Sequence, residues 1–295
     1  MPDTRTQRSF SSRGMRYWRR LVVDRLATAA TVLCSFLVVA PLVAIFVYLV
    51  YRGIGSLNWA FLTREPAPVG EPGGGMANAI VGSAMMLAVA SAIGVPLGIG
   101  SGVYLAERRG HRLAQLVRFT ADVLNGVPSI VTGIAVYALV VVRQKHFSGL
   151  AGGVALGIMM VPTITRTTEE MLLMVPDAVR EAALGLGIPH WRTTLSIVLR
   201  TATSGVITGV MLAFARVAGE TAPLLFTALG NQFWNLRLNQ PTAALPLQIY
   251  AYALSGYDDW HRQAWAGALV LIVLIVGAVA AVRVATSRGM MRGAA

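Results

Sequence analysis

Two long stretches of this sequence contain no charged residue, Leu26 to Tyr51 and Pro72 to Ala106. Each is long enough to cross a hydrocarbon core of about 30 Å as a helix. Hydrophobic residues make up 55% of the chain and charged residues only 13%, whereas soluble domains average about 25% charged residues. The sequence therefore predicts an all-α, polytopic membrane protein.

Reading the weakly charged runs as spans predicts about six transmembrane helices. They cover residues 26–51, 77–105, 123–142, 147–173, 202–228 and 263–282. A basic tail, residues 1–25, precedes a transmembrane domain over residues 26–290. Arginine-rich segments mark the cytoplasmic side, and here they are the tail, the second connection and the stretch after the last span. An even number of spans therefore places both termini in the cytoplasm.

The net charge of +12 does not indicate a nucleic-acid partner, because the arginines lie between apolar spans and not along one face. The only cysteine, Cys34, falls inside the first span, so we expect neither a disulfide framework nor a Cys/His metal site. The first span is too long for a signal-peptide core and lacks a cleavage site, which predicts a retained anchor in contact with lipid.

The last predicted outer segment, residues 229–262, is rich in aromatic residues, among them Phe233, Trp234, Tyr250 and Trp260. Aromatic belts at the membrane interface have this composition. Exposed aromatic side chains are also common anchors at protein interfaces. Both interpretations stay open, an interfacial belt and a docking surface for an external protein.

The cluster from Asn125 to Ser129 is polar and helix-breaking and stands at the head of the third predicted span. Backbone groups freed at such a break must face protein or a water-filled cavity. The cluster is therefore a weak indication of a transport pathway. Ser129 itself either starts a helix or faces that pathway.

The connection between spans four and five predicts a rigid cytoplasmic elbow. Asp177 can cap a short helix, Gly187 can end it in a left-handed conformation, and Pro189 can open the next helix. Small apolar residues recur on one face of the short helix and would allow close approach to a groove on a partner. They are Ala178, Val179, Ala182, Ala183 and Leu186. An amphipathic connector lying on the membrane surface is the alternative.

The spaced set Glu181-Ala182-Ala183, Gly187 and Ile197-Val198-Leu199 resembles the EAA loop of permease subunits of bacterial ABC importers. That resemblance implies a coupling loop over about residues 174–200 that inserts into a cleft on an ATP-hydrolysing subunit. The chain has Arg200 where the family usually has proline. It contains no phosphate-binding Gly-x-x-x-x-Gly-Lys-Ser/Thr loop, and its only lysine is Lys145, so we expect ATP hydrolysis in another chain.

Two charges, Arg216 and Glu220, fall one turn apart inside the fifth predicted span. Charges at such a depth are costly and commonly functional. One interpretation is an i,i+4 ion pair that neutralises itself. The other is that the guanidinium of Arg216 binds an oxyanion crossing the bilayer, a bidentate match to phosphate geometry.

The stretch Gly219-Glu220-Thr221-Ala222-Pro223-Leu224-Leu225 is similar to the fifth-span signature of the phosphate-specific PstA type of permease. Further blocks match that type across about residues 70–285. They are Gly73-Gly74 with Ala79-Ile80 and Gly82-Ser83, Gly126 to Val131 with Gly133, and Pro162 with Arg166-Thr167-Thr168-Glu169. The resemblance implies the type I ABC importer permease fold in a bacterial plasma membrane, and it makes Arg166 and Arg216, with Glu220, candidates for the anion pathway. Arg166 is either a residue of the inner gate or a positive-inside anchor at the cytoplasmic end of span four.

The resemblance also implies that the chain is not an enzyme and binds no cofactor, because ATP and magnesium would sit in a PstB-like ATPase dimer. Its further implied partners are a PstC-like permease subunit and an extracytoplasmic, PstS-like phosphate-binding protein. Permeases for sulfate or molybdate would share the elbow. A stand-alone channel or secondary transporter would share only the spans and the buried charges.

Overall fold

The computed structural model describes residues 8–68, 71 and 73–292 of the chain. They form two units, one ending at Tyr51 and the other beginning at Arg52. The first unit is built on helix α1, Arg8–Gly53, which contains Pro41. Because α1 is continuous from residue 8, the described part of the predicted basic tail is helical and belongs to the same helix as the first span.

The second unit is helical, with two isolated β-bridges in its described loops. Its helices are α2 Trp59–Thr63, α3 Ala77–Glu107, α4 Arg112–Gly126, α5 Ser129–Val136, α6 Val142–Gln144, α7 Gly149–Leu173, α8 Asp177–Gly185, α9 His190–Arg192, α10 Leu199–Ala218, α11 Ala222–Leu225, α12 Leu245–Ala253 and α13 Asp258–Arg292. Turns of π-helix over Tyr137–Val141 and Thr193–Val198 join α5 to α6 and α9 to α10.

Among the residues that the structure describes, five helical segments are long and apolar enough to cross a membrane. They are Tyr17–Ser56, Ala77–Glu107, Gly149–Leu173, His190–Ala218 and Asp258–Thr286. A sixth span exists only if Arg112–Gly126 and Ser129–Gln144 are counted together, and this pair is bent by 107°. The structure is therefore that of a multi-pass membrane protein with five or six spans.

The third predicted span, residues 123–142, is wrong as a continuous helix. Its first residues belong to α4, and the chain turns by 107° before α5 begins at Ser129. Val127 is extended, with φ −72° and ψ 129°. Pro128 explains the break, because its ring disfavours helical geometry in the preceding residue and removes a backbone donor.

The fifth predicted span, residues 202–228, is also corrected at both ends. Its helical segment begins at His190, directly after Pro189, and it ends at Ala218. A short helix, α11, follows the break, with Pro223 in its first turn. Proline is favoured in a first turn, where no N–H is needed.

Helices α3 and α7 form the centre of the second unit and approach each other through glycine. Gly94, Gly98 and Gly102 recur every four residues along one face of α3. A methyl group on Gly98 would lie 2.6 Å from Cβ of Ile164, and one on Gly102 would lie 2.5 Å from Cβ of Thr168. Small residues at this spacing let membrane helices pack at short distance.

The segment from residue 229 through the first residues of α12 packs partly inside the protein, although the sequence predicted an outer connection over residues 229–262. The backbone carbonyls of Leu238 and Gln240 accept hydrogen bonds from the first amides of α7, at 2.7 and 3.0 Å. The amide of Leu245 donates to Oγ of Ser83 at 2.7 Å, and Leu247 is buried in the core beside Met86. Only part of that segment is therefore available at the surface, including Phe233 and Trp234.

Candidate functional site

Arg216 lies in the last turn of α10, with its side chain at the surface of the chain. It borders a small recess between α4, α5, α7 and α10. The recess is lined by Leu124, Asn125, Val127, Thr132, Ile158, Met159 and Arg216. Because Ile158 is about 14 Å along α7 from Gly149, the recess lies level with the middle of α7, although Arg216 itself is near the end of α10.

Glu220 does not pair with Arg216. Helix α10 ends at Ala218, so the two residues are not one turn apart on a single helix. The backbone amide of Glu220 instead donates to the carbonyl of Val217 at 3.1 Å. Within the part of the chain that the structure describes, no ion pair joins Arg216 to a carboxylate. The ion-pair interpretation of these two charges is wrong for this structure.

Two helix breaks meet beside Arg216. One separates α4 from α5 and the other separates α10 from α11, and Gly133 of α5 lies against the backbone of Pro223. Broken helices at membrane depth occur where the freed backbone lines a cavity or is covered by protein. Ser129 is the half-buried first residue of α5; the recess is lined by its neighbours Val127 and Thr132.

A cluster of four charged residues lies between α4 and α7, toward the end of α7 that carries the elbow. Arg166 donates to both oxygens of Asp122, from Nε and Nη2, at 2.8 Å each. It also donates from Nη1 to Glu169 at 2.9 Å. Arg118 donates to the other oxygen of Glu169, from Nε at 3.0 Å and also from Nη2. The cluster balances two positive charges with two negative charges, which lowers the cost of holding them within the membrane.

The sequence singled out Arg166 but missed Asp122, and it interpreted Arg118 only as a cytoplasmic marker. A signal was present, because residues 118 and 122 are one turn apart on α4 and residues 166 and 169 are one turn apart on α7. Only the packing of α4 on α7 shows that the two pairs face each other.

The charged cluster and the recess are parts of one polar surface. Oγ1 of Thr163 donates to Oδ1 of Asn125 at 3.3 Å, between the cluster and Arg216. We call this surface the polar stripe. It consists of Arg118, Asp122, Asn125, Thr163, Arg166, Glu169 and Arg216. Among the predicted pathway residues, the stripe brings Arg166 and Arg216 onto one surface. Met159, which lines the recess together with Arg216, precedes Arg166 by about 10 Å along α7.

The elbow after α7 follows the predicted pattern in two respects. Gly187 has φ 79°, and the amides of Gly187 and Ile188 donate to the carbonyls of Leu184 and Ala183 at 2.9 and 3.2 Å. This is the Schellman arrangement that ends helices in a left-handed residue. A new helix starts after Pro189, as predicted.

Other elbow predictions are corrected. Asp177 is the first residue of α8 and makes no capping hydrogen bond, because Pro176 occupies the cap position. Glu181 and Ala182 are exposed, but Ala183 is only 4% exposed and faces the chain itself. The exposed apolar face is therefore narrower than predicted, and Leu186, which is 81% exposed, is its largest member.

The elbow is tied to two spans by one side chain. Arg180 of α8 donates a hydrogen bond to Glu107 at the end of α3. It also donates to the backbone carbonyl of Leu172, near the end of α7, at 3.0 Å. A displacement of α8 would therefore be transmitted to α3 and α7, the two helices that pack together through the glycines of α3.

Comparison with known proteins places this architecture in a family. Residues 94–288 match the family model described as binding-protein-dependent transport system inner membrane component. The chain is 45% identical over 267 residues to the phosphate transport system permease protein PstA of Yersinia pestis, with 90% of each chain covered. It is 43% identical to the protein of that name from Haemophilus influenzae, over 88% of this chain and 92% of that one.

Solved structures support the fold. The chain matches a chain of the inward-facing MetNI methionine ABC transporter with a TM-score of 0.54 at 18% identity, over 85% of this chain and 98% of that one. At such identity the likeness concerns the fold alone, which is that of type I ABC importer permeases. The chain therefore belongs to the family of binding-protein-dependent transport system inner membrane components, as a permease of the PstA type.

Proposed function

We propose that this chain is one transmembrane permease subunit of an ATP-driven importer for inorganic phosphate. The relatives named phosphate transport system permease protein PstA, at 43–45% identity, support this substrate. The observation that carries the proposal is Arg216, which borders a recess level with the middle of α7 and has no carboxylate partner among the described residues. Such a group needs an anion or water, because an unpaired charge at this depth is costly.

Phosphate suits this environment for a chemical reason. A guanidinium presents several N–H donors in a fixed plane and binds two oxygens of a phosphate together. The polar stripe continues from Arg216 to Arg166 along the exposed side of α4 and α7. A second, PstC-like permease subunit would form the other side of the anion pathway.

Movement in this proposal comes from alternating access of rigid bodies. An ATPase dimer of the PstB type binds ATP and magnesium, so this chain itself requires no cofactor. Its closure displaces the coupling loop, with Glu181, Ala182 and Gly187 on the elbow, and Arg180 transmits the displacement to α3 and α7. A PstS-like binding protein delivers phosphate to the opposite side, where Phe233 and Trp234 are exposed.

The proposal places the chain in a bacterial plasma membrane with both termini in the cytoplasm. The basic character of residues 1–25 and of the connection between α3 and α4 supports this orientation, because cytoplasmic segments are enriched in arginine. Ser129 and Glu220 remain candidate pathway residues in this proposal, Ser129 at the break before α5 and Glu220 at the break before α11.

The test is uptake of radiolabelled phosphate by proteoliposomes that contain this chain with its ATPase, its second permease and its binding protein. We expect uptake only when ATP is present on the side of the membrane that carries the ATPase. An excess of sulfate or molybdate should not compete. Competition by either anion would contradict the phosphate assignment. Uptake by this chain without the ATPase would favour a stand-alone channel or secondary transporter.

A further inference from the structure

The guanidinium of Arg166 binds the carboxylate of Asp122 in a bidentate manner. Nε and Nη2 each donate to one oxygen of Asp122 at 2.8 Å. Two parallel N–H···O bonds in one plane are also the geometry in which arginine binds phosphate. Asp122 therefore occupies the same donors that an oxyanion would use.

The two carboxylates that contact Arg166 differ in how firmly they are held. The side chain of Glu169 is 4% exposed and also accepts hydrogen bonds from Arg118. The side chain of Asp122 is 49% exposed, and Arg166 is its hydrogen-bond partner. Glu169 fixes the guanidinium in position. The Asp122 carboxylate is half-exposed, so it can break its hydrogen bonds to Arg166 and be hydrated by water instead.

The position of Asp122 suits such an exchange. It lies on α4 one turn before that helix ends at Gly126, and Asn125 connects it along the stripe with the recess of Arg216. An anion moving from Arg216 along the stripe would meet Arg166 after about 10 Å. Without Asp122, the Nε and Nη2 donors of Arg166 would lack the partner that occupies them here. Competition from Asp122 would weaken the binding of an arriving anion, and transport requires binding weak enough for release.

We propose that Asp122 is a built-in competitor for the transported oxyanion: it occupies the fork of Arg166 when no anion is there and is displaced when one arrives. This inference rests on the proposed function and adds a residue to its site. The exchange replaces one anion by another, so Arg166 stays paired throughout. Glu169 and Arg118 keep the guanidinium oriented during the exchange.

The test is equilibrium binding of radiolabelled inorganic phosphate to the purified complex of permeases and ATPase in detergent, without the binding protein. Asp122→Asn removes the competing charge, so phosphate should bind about 1.4-fold to fivefold more tightly, the range that an exposed ion pair supports. Asp122→Glu keeps a carboxylate and should bind phosphate like the wild type. Asp258→Asn is the matched control, because it removes an exposed carboxylate from the start of α13.

A second variant tests whether the gain depends on the fork. Combining Asp122→Asn with Arg166→Gln should abolish the gain. Unchanged affinity in Asp122→Asn, or a gain that survives loss of Arg166, would overturn the inference. So would failure of the complex to assemble in both Asp122→Asn and Asp122→Ser, because Asp122 would then be a structural partner of Arg166.

The inference and the proposed function fail in different ways. If the wild-type complex does not take up phosphate with ATP, the proposed function fails and this inference fails with it. If the wild-type complex takes up phosphate and Asp122→Asn binds it no more tightly, only the role of Asp122 is overturned.

Discussion

Ala182 and Ala183 are adjacent in the sequence, but only Ala182 is accessible at the surface of the chain. Ala182 is exposed on α8, whereas Ala183 is only 4% exposed and its carbonyl accepts the hydrogen bond that closes the helix. A residue of the chain that docks on another subunit must be accessible in the isolated chain. The exposed side of the elbow therefore includes Ala182 and Leu186, and Ala183 belongs to the support beneath it.

Replacing Ala182 with arginine should prevent docking of the ATPase. The larger, charged side chain would stand on the exposed face and keep a partner surface at a distance, while the chain itself folds. We expect Ala182→Arg to abolish co-purification of the ATPase and to leave the yield of membrane-inserted permease unchanged. Ala182→Ser is the matched control and should retain the ATPase. Full assembly of Ala182→Arg would contradict the docking role of this face.

Replacing Ala183 with arginine should act differently. Burying an unpaired guanidinium costs several kcal/mol unless a partner is provided, so Ala183→Arg should lower the amount of folded permease. The measurement is the yield of monodisperse protein after detergent extraction, compared with Ala182→Arg. A normal yield combined with loss of the ATPase alone would mean that Ala183 does belong to the docking face.

The link from the elbow to the spans can be tested through Arg180. Loss of its hydrogen bonds to Glu107 and Leu172 should loosen α8 from α3 and α7 and cost about 1 kcal/mol of stability. We therefore expect Arg180→Ala to retain ATP hydrolysis but to transport less substrate per ATP hydrolysed. Arg192→Ala, which changes an exposed arginine of the same elbow, is the control. An unchanged ratio of transport to hydrolysis in Arg180→Ala would mean that coupling takes another route.

The sequence predicted the elbow well where local chemistry determines the backbone. Gly187 adopts its left-handed conformation because glycine has no Cβ to oppose a positive φ. Pro189 opens a helix because its ring fixes φ near the helical value. Which side of α8 faces the chain depends instead on where α3 and α7 end. The burial of Ala183 could therefore not be predicted from the short helix alone.

The breaks beside Arg216 were harder to predict, because hydropathy averages over a window and ignores whether the helix continues. Pro128 and Gly219 were visible signals, since both residues favour helix ends, but membrane helices also tolerate them. The ion-pair alternative for Arg216 and Glu220 depended on a continuous helix. Similarly, Asp122 became visible as a partner of Arg166 only through the packing of α4 on α7.

The glycine contact between α3 and α7 provides a test of the fold. Gly98→Leu should destabilise the permease by several kcal/mol, because even its Cβ would lie 2.6 Å from Cβ of Ile164 and overpacking a core costs about 1–3 kcal/mol or more. Gly100→Leu is the matched control, because no atom lies within 4 Å of an added Cβ there. Thermal unfolding in detergent is the measurement, and equal melting temperatures for the two variants would contradict this helix packing.

The central claim is that the guanidinium of Arg216, which has no carboxylate partner in the described part of the chain, binds the transported phosphate. Its most direct test is ATP-dependent uptake of labelled phosphate by the reconstituted complex with Arg216→Gln, compared with the wild type at equal assembly. Glutamine keeps hydrogen-bond donors but removes the charge, so we predict that uptake is abolished while the four kinds of subunit still co-purify. Uptake at the wild-type rate by the assembled Arg216→Gln complex would contradict the account.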